Sequence, residues 1–305
     1  MNNKIFVPPI KSQGIKTKLV PWINDLVSCL ELDKNRVRWI EPFFGTGVVG
    51  FNSGFVNVIA GDTNPHIINF YQKIQEGKIT PHSVREYLNE QGKLLSASEE
   101  EGYAHYKFIR SRFNAKYDPL DFLFLSRAGF NGMMRFNSKG QWNIPFCKKK
   151  DRFAAAYITK ICNQVECIQR IIKDHWQFIN QSFAETIAIA GEDDIIYCDP
   201  PYYGRYVDYY NGWTEENEKE LFQALQNTKA RFILSTWHHN QYRENEMIPT
   251  YWDKFNIIEK DHFYHGGGKI ENRQSIVEAL VFNFDLKQNQ VAMNDKRVLS
   301  LFPDL

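Results

Sequence analysis

Residues 194–203 read DIIYCDPPYY and combine a strand signal with a set of polar and aromatic groups. The apolar run before Asp199 predicts a buried strand, and Pro200 and Pro201 end its hydrogen-bonding ladder. Asp199 then lies in the crevice at the carboxyl ends of the strands, where open α/β sheets bind ligands. Its carboxylate, the Pro200 carbonyl and the Tyr202 ring suit a planar ring that carries an amine. The alternative is a rigid strand-end turn with a capping aspartate, which a ligand-binding turn elsewhere in the chain would disfavour.

Four further apolar runs predict buried strands, and helical patterns separate them. These strands span residues 37–41, 56–60, 232–235 and 278–284. Thr80, followed by Pro81, and Thr214, followed by two glutamates, have the features of helix N-caps. Because strands that alternate with helices form mostly parallel sheets, we predict an α/β protein with a Rossmann-like sheet and helices on both faces.

The alternation of strands and helices is interrupted between about residues 67 and 176 and resumes near the sequence QFINQSF. The interrupting segment has a polar, helical pattern before it becomes rich in turns. We therefore predict one catalytic domain made of residues 1–66 and 177–285, with a mainly helical insertion at residues 67–176. Residues 286–305 are predicted to form a C-terminal tail.

The composition of the 305-residue chain is that of an ordinary globular protein, with 43% hydrophobic and 24% charged residues. It contains no run of 18 apolar residues and no signal-peptide pattern, which favours a cytoplasmic protein without a membrane segment. The five cysteines include no C-x-x-C pair, which fits a reducing compartment better than a disulfide framework or a zinc ribbon. Since the formal net charge is only +1, any surface that binds nucleic acid has to be local.

A glycine-rich turn follows the strand predicted at residues 37–41, where Gly45, Gly47 and Gly50 have the spacing of the dinucleotide-binding pattern G-x-G-x-x-G. Glycines at this position let the backbone approach a ligand closely. Asp62 follows Gly47 by fifteen residues, at the tip of the next strand, where a carboxylate accepts hydrogen bonds from ribose hydroxyls. Together these features favour a ligand that contains adenosine. A nicotinamide-dependent dehydrogenase is the first alternative function.

The order of the motifs resembles that of the amino-methylating DNA methyltransferases that use S-adenosylmethionine, and within them the DNA adenine methyltransferase (Dam) type. That order is a lysine-containing N-terminal motif, then F-x-G-x-G, then an inserted target-recognition region, and then D-P-P-Y. The resemblance extends from about Pro8 to Phe284. It implies a methyltransferase sheet and a site-specific enzyme that methylates the N6 amine of adenine in duplex DNA.

The resemblance also implies roles for the matching residues. Asp199, Pro200 and Tyr202 match the catalytic motif, in which the aspartate and the proline carbonyl hold the adenine amine and the tyrosine stacks on its ring. The implied cofactor site is formed by Ser12, Lys16, Phe43, Gly45, Gly47, Asp62 and Asp199. Ser12 and Ile15 depart from the family pattern, which has an aromatic residue and a glycine at these two positions.

The turn-rich segment at residues 130–145 resembles the family's DNA-recognition hairpin, N-G-x-x-R-x-N-x-x-G-x-F-N-x-P. Arg135 has the chemistry for a bidentate contact with guanine, with a salt bridge as the alternative, and Phe130 has that of a wedge between bases. The lysine triplet at residues 148–150 is expected to contact phosphates, with a solvated surface as the alternative. The predicted DNA-binding residues are Phe130, Asn131, Met133, Arg135, Asn137 and Lys149.

Two other reactions share this site chemistry, methylation of cytosine N4 in DNA and of adenine N6 in RNA. Enzymes of the first kind more often carry Ser at the position of Asp199, and RNA or protein amino-methyltransferases usually carry Asn. No metal is predicted, because His262 and His265 have no evident third ligand. We predict a monomer that acts on double-stranded DNA, with a restriction endonuclease encoded nearby as a candidate partner.

Overall fold

The computed structural model describes residues 4–172, 174–204, 212–263 and 275–286. Seven strands in these residues form one sheet in the order β3-β2-β1-β4-β5-β7-β6. They are β1 (Arg38–Glu41), β2 (Asn57–Gly61), β3 (Trp176–Ile179), β4 (Ile195–Cys198), β5 (Arg231–Asn240), β6 (Asn256–Phe263) and β7 (Ser275–Phe282). The pairings among β1 to β5 are parallel, whereas β7 runs antiparallel to both β5 and β6. The prediction of a mostly parallel, Rossmann-like sheet is confirmed.

Helices pack against both faces of this sheet. The described α-helices are α1 (Val20–Ser28), α2 (Gly50–Ser53), α3 (Pro65–Gln75), α4 (Pro81–Ser96), α5 (Glu99–Lys116), α6 (Pro119–Ala128), α7 (Ala155–Ile171), α8 (Phe183–Ala188) and α9 (Glu215–Asn227). Both predicted N-caps are confirmed, because the Thr80 and Thr214 hydroxyls each accept a backbone N–H of the first turn in a capping box. None of the described helices combines the length and the apolar character needed to span a bilayer.

Successive side chains of the central strands pack alternately into two apolar clusters, one on each face of the sheet. Trp39 and Tyr197 stack on one face with ring centroids 5.7 Å apart. Ile40 and Ile196, their neighbours in the chain, pack on the other face. Successive side chains of a strand point to opposite faces, so a strand covered on both sides needs apolar residues at every position. This requirement explains the continuous apolar run IIYC that identifies β4; β1 reads RWIE and has only Trp39 and Ile40 as apolar residues, one for each face.

Helices α3 to α7 lie between β2 and β3 in the chain, where a helical insertion is predicted. Their buried side chains, such as Phe122 and Val165, belong to the same apolar cluster as Trp39 of β1. The inserted helices therefore share a core with the sheet. The predicted boundaries at residues 67 and 176 fall inside α3 and on the first residue of β3. The division into a catalytic domain and a DNA-binding insertion stays a prediction.

The sequence analysis does not identify β6 and ends β5 too early. β6 reads NIIEKDHF and lies at the edge of the sheet, where polar side chains discourage pairing with other chains. β5 extends to Asn240, five residues beyond its predicted end, through the polar sequence TWHHN. Both segments lack the continuous apolar run that marks a strand covered on two faces.

Candidate active site

The loop after β1 carries the first part of the site. Gly45 and Gly47 have φ values of +52° and +77°, a left-handed conformation that favours glycine. A Cβ atom at Gly47 would lie 2.4 Å from the Phe44 ring, whereas a Cβ atom at Gly45 would meet no atom within 4 Å. Packing therefore requires glycine at position 47, and Gly45 leaves open space beside the loop.

Asp62 comes directly after β2 and ties the end of that strand to the glycine loop. One of its carboxylate oxygens accepts the Gly45 N–H at 2.7 Å, and the other accepts the Asn64 N–H at 2.8 Å. Burial raises the pKa of Asp62, and these two hydrogen bonds oppose the rise. A carboxylate offers about four acceptor positions, so Asp62 keeps capacity for hydroxyl groups of a ligand.

Glu41, the last residue of β1, is a buried carboxyl group between Asp62 and Asp199. Trp39 Nε1 donates to Glu41 Oε2 at 3.0 Å, and a Cβ atom at Gly50 would lie 2.7 Å from the same oxygen. Burial raises the pKa of Glu41 well above its ordinary value; the Trp39 bond lowers it, and the carboxylates of Asp199 and Asp62 raise it further. Three carboxyl groups thus lie at the ends of the adjacent strands β2, β1 and β4. A cationic group in a ligand would relieve their mutual repulsion.

Asp199 follows β4 directly and forms an ion pair with Lys16 from the N-terminal segment. Lys16 Nζ lies 2.8 Å from Asp199 Oδ1 and donates to the Gly14 carbonyl at 3.2 Å. Burial raises the pKa of Asp199, and the charge of Lys16 opposes the rise. Pro200 is buried next to this pair. A residue predicted to bind the cofactor and one predicted to hold the substrate amine are therefore in direct contact.

The Tyr202 side chain is held from two sides. Its hydroxyl donates to the buried Glu278 carboxylate of β7 at 2.5 Å, and Lys16 Nζ lies 4.7 Å from the centroid of its ring. Trp237 and Ile276 form a small apolar cluster with the ring, which is only 9% exposed. The predicted stacking on Tyr202 needs an accessible face of its ring. The structure instead covers the ring on the Lys16 side, so stacking there requires Lys16 to move.

Phe43 and Ser12, the remaining predicted cofactor residues, are both half-buried. The Phe43 ring stacks on Phe183 of α8 at 5.2 Å and makes an edge contact with Trp213 at 5.6 Å. The Ser12 hydroxyl donates to the Gln13 carbonyl at 3.2 Å. The structure thus places Phe43 in an aromatic group beside the glycine loop, but it shows no hydrogen bond between Ser12 and the described carboxylates of the site.

The sequence analysis misses three residues of this site, Glu41, Phe183 and Glu278. Both glutamates are acids within or directly after an apolar run, in VRWIE and EALVFNF. A carboxyl group is costly to bury without partners, so its presence in such a run is a usable signal of a functional or paired group. Phe183 carries no comparable signal, because an aromatic residue in the first turn of a helix is common in an ordinary core.

The predicted recognition segment forms a hairpin. Gly129 and Phe146 pair in antiparallel fashion at its base, and Phe136 and Trp142 pair nearer the turn. The Asn137 carboxamide oxygen closes the turn by accepting two backbone N–H groups from within it. Asn137, a predicted DNA-binding residue, therefore has a structural role in the turn.

Three of the predicted DNA-binding residues are exposed. Phe130 is 47% exposed, Asn131 is exposed with a φ of +52°, and Lys149 is exposed beyond the hairpin. The other three, Asn137 of the turn, Arg135 and Met133, are partly buried. Arg135 Nε donates to Asn143 Oδ1 across the hairpin at 3.0 Å, and Met133 packs against the core.

A cleft of about 620 Å³ lies between the hairpin and the start of α3, and no predicted site residue lines it. The His66 ring stacks there between the rings of Tyr117 and Phe136, each with a centroid distance of 5.0 Å. Burial lowers the pKa of His66 to about 4. Of the two histidines considered for metal binding, His262 lies on β6 and His265 lies outside the described residues.

Residues 12–265 match the family model described as D12 class N6 adenine-specific DNA methyltransferase. A DNA adenine methylase of Vibrio cholerae serotype O1 is 33% identical over 200 residues, which cover 62% of this chain and 67% of that protein. The type II methyltransferase M.FokI of Planomicrobium okeanokoites is 28% identical over 295 residues, which cover 92% of this chain and 43% of that protein. The solved structure of a precorrin 8W decarboxylase from Methanobacterium thermoautotrophicum has a TM-score of 0.36 and 12% identity, covering 87% of this chain and 90% of that one.

Proposed function

Because this chain belongs to the D12 class N6 adenine-specific DNA methyltransferases, we propose that it transfers a methyl group from S-adenosylmethionine to an adenine flipped out of duplex DNA. Membership of the family sets aside the nicotinamide-dependent dehydrogenase, and it favours DNA adenine over cytosine N4 and RNA. The proposal adds the methyl donor, the flipped base and the residues that hold each of them.

The residues at the carboxyl edge of the sheet suit S-adenosylmethionine in charge and in hydrogen bonding. Asp62 keeps acceptor capacity for the ribose hydroxyls, and the open space at Gly45 admits a ligand against the backbone. The carboxyl groups of Glu41, Asp62 and Asp199 favour a cofactor that carries positive charge. Lys16 supplies a cation for the carboxylate of the methionine part.

We assign Asp199 and the Pro200 carbonyl to the two protons of the adenine amine. The nitrogen lone pair is delocalised into the ring, and two hydrogen bonds at a strand end would favour the tetrahedral geometry that frees it. When bound, S-adenosylmethionine supplies an electrophilic methyl group on a sulfonium sulfur. The Asp199 carboxylate stabilises the positive charge that develops on N6 and accepts the proton that N6 loses. The fixed strand end supplies orientation.

Tyr202 is assigned to stacking on the flipped adenine, with Glu278 fixing its ring through the hydroxyl. Flipping costs a few kcal/mol, and stacking of a base on an aromatic ring is worth about 1–3 kcal/mol. The Lys16 ammonium lies over the ring in this structure. Its movement away from the ring, toward the cofactor, would expose the ring to the base.

The contact between Lys16 and Asp199 is the observation that carries the proposal. It joins the N-terminal motif to the D-P-P-Y motif, 183 residues later in the chain, at a distance of 2.8 Å. Asp62 and Gly45 bond to each other on the neighbouring strand ends. Four residues that the sequence predicts from separate motifs thus lie at one edge of the sheet.

Two measurements test the proposal. Isothermal calorimetry should detect binding of S-adenosylmethionine by the purified protein, with NADH as the matched ligand control. Tritium transfer from labelled cofactor to duplex DNA, followed by nucleoside analysis, should place the label in N6-methyladenine. Binding of NADH without binding of the methyl donor, or label in N4-methylcytosine or only in RNA, would refute the proposal.

We also propose a biological setting for the protein. A cognate restriction endonuclease is proposed because M.FokI, by its name a type II methyltransferase, matches 92% of this chain. We further propose a cytoplasmic monomer, which sedimentation of the purified protein would test.

A further inference from the structure

We propose that His238, His239 and Glu259 bind a divalent transition-metal ion of the zinc type, outside the methyl-transfer site. Among the residues that the structure describes, they form the one group of three or more His, Cys, Asp or Glu residues whose ligand atoms lie within 4.8 Å of one another. Two imidazoles and one carboxylate are a donor set that zinc enzymes use. Imidazole also suits copper, nickel and iron, whereas magnesium prefers oxygen donors.

A β-bulge brings two consecutive histidines to the same face of the sheet. The pairing of β5 with β7 passes from Trp237 and Glu278 directly to His239 and Val277, so His238 is an extra residue in β5. In a regular strand, the side chains of neighbouring residues point to opposite faces. Here the two imidazole rings lie 5.0 Å apart, and their Nδ1 atoms are separated by 2.9 Å.

Glu259 reaches the histidines from two strands away. It lies opposite Ala279 of β7, and Ala279 lies opposite Thr236 of β5. Because Ala279 carries only a methyl group, the longer Glu259 side chain can cross above it. Glu259 Oε1 lies 3.4 Å from His238 Nε2. All three ligand residues are half-buried, which shields them but leaves a route for an ion to enter.

Side-chain rotations would bring one ligand atom of each residue around one ion. With zinc-to-nitrogen distances of about 2.0–2.1 Å and tetrahedral geometry, ligand atoms lie roughly 3.4 Å apart, and one ligand atom from each of the three residues already lies within 4.8 Å of the other two. His238 offers the ion only one of its two nitrogens, Nδ1 on the side of His239 or Nε2 on the side of Glu259. The Nδ1 to Nδ1 contact is a hydrogen bond, so one of the two nitrogens carries a proton. That proton has to move to Nε2 of the same ring before both Nδ1 atoms can face a cation. Three protein ligands leave the fourth position for water.

The ion would link the end of β5 to β6, close to the methyl-transfer site. Trp237 precedes His238 in the chain, packs with Tyr202 and donates from Nε1 to the Tyr203 carbonyl at 3.0 Å. Trp237 pairs with Glu278, while His239 pairs with Val277 on the opposite face. Since the proposed ligands and Tyr202 lie on opposite faces of the sheet, we assign the ion a structural role.

The test uses the full-length protein after treatment with a chelator, without cofactor or DNA. Calorimetry should show one Zn²⁺ bound per chain and no saturable binding of Mg²⁺. Co²⁺ should bind at the same stoichiometry with the intense d–d absorption of a four-coordinate site and without a thiolate charge-transfer band. Zn²⁺ should also raise the melting temperature, because it binds the folded state.

Substitutions separate this site from incidental metal binding. His239→Ala and Glu259→Gln should each weaken Zn²⁺ binding by at least about 10-fold, with the fold checked by circular dichroism. His82 and Glu86 provide the matched control, since they form an exposed His–Glu pair at 3.3 Å on α4; His82→Ala should leave binding unchanged. The absence of saturable Zn²⁺ binding, a thiolate band, or equal binding by wild type and both site variants would overturn the proposal. None of these results depends on methyl transfer, so the proposed function is tested separately.

Discussion

The catalytic edge of the sheet and the recognition hairpin hold their polar groups in different ways. At the edge, the groups come from distant parts of the chain and bond to one another, as Lys16 does with Asp199 and Tyr202 with Glu278. In the hairpin, the polar groups bond to near neighbours, and Arg135 pairs with a residue only eight positions away. The edge is buried, whereas the hairpin exposes Phe130.

The difference reflects what each region has to do. A site that stabilises developing charge works best when its groups are fixed before the substrate arrives, because no reorganisation is then needed during the reaction. A surface that reads bases must exchange its own hydrogen bonds for bonds to DNA. We therefore expect substitutions at the edge to affect all DNA sequences and substitutions in the hairpin to affect some more than others.

The largest effect is expected from Asp199→Asn, which keeps the shape of the side chain but removes its charge. We expect kcat to fall by about 100- to 1,000-fold, by analogy with the loss of one group that stabilises a transition state. Single-turnover methylation of a cognate duplex measures this fall. The variant also breaks the ion pair that the buried Lys16 forms with Asp199 and should lower the melting temperature.

Asp193→Asn is the matched control, because Asp193 is exposed on the loop before the same strand. The double variant Lys16→Met with Asp199→Asn should regain stability but no activity. If that double variant also regained activity, Asp199 would be only a structural partner of Lys16.

The second largest effect is expected from Arg135→Ala, which should reduce discrimination between DNA sequences at one base pair. A bidentate base contact contributes about 1–3 kcal/mol of discrimination, which corresponds to about 5- to 150-fold in relative rate. Methylation rates on a cognate duplex and its single-base variants measure this ratio. Asn143→Ala should weaken the same discrimination less, because it removes only the group that orients Arg135.

Lys149→Ala is the comparison for Arg135. A phosphate contact carries no base information, so this variant should slow all duplexes alike and reduce the salt slope of binding by about 0.9. Equal slowing of every duplex by Arg135→Ala would assign Arg135 to the DNA backbone or to the hairpin structure.

A smaller effect is expected from the Tyr202 and Glu278 pair. Glu278→Leu removes the carboxylate that accepts the hydrogen bond of the tyrosine hydroxyl, and loss of a partner by a buried group costs about 1–3 kcal/mol. We expect a fall of about 10-fold in kcat/KM and weaker flipping, measured by the fluorescence of 2-aminopurine at the target position. Glu278→Gln keeps an acceptor and should recover part of the loss. Because the two side chains act together, Glu278→Leu with Tyr202→Phe should be no worse than Glu278→Leu alone.

The smallest effect is on stability, at the junction between the two regions. His66 has a pKa of about 4 in the folded protein and an ordinary value of 6.5. Between these values the unfolded chain binds more protons, so this contribution to stability is present above pH 6.5 and is lost as the pH falls toward 4. His66→Phe keeps the stack with Tyr117 and Phe136 and should flatten the dependence of the melting temperature on pH in this range. An unchanged dependence would assign the acid sensitivity to other groups.

The fold and much of the site follow from the sequence because they rest on local signals. Tyr197 lies in the uninterrupted apolar run IIYC, which a strand covered on both faces requires. Thr80 and Thr214 cap helices through contacts within three residues, so their roles are readable without tertiary structure. Gly47 is set by close packing within its own turn.

The sequence does not show which residue each long-range contact joins to which. Nothing near Tyr202 in the chain indicates Glu278, because their contact depends on β7 entering the sheet between β5 and β6. The bulge at His238 is equally hidden, since an extra residue in β5 is recognised only from its pairing with β7. The covering of the Tyr202 ring by Lys16 is also a contact between distant parts of the chain, which the sequence does not reveal.

The ion pair between Lys16 and Asp199 has a consequence for synthesis of the protein on the ribosome. At about 5–20 residues per second, Asp199 is made roughly 10 to 40 s after Lys16. During that interval Lys16 has no Asp199 carboxylate to pair with, although the residues before it can already bond to Asn52 of α2 and Arg127 of α6. Nascent chains arrested before residue 194 should therefore leave the part of the segment around Lys16 open to protease, whereas residues 6–9 should be protected.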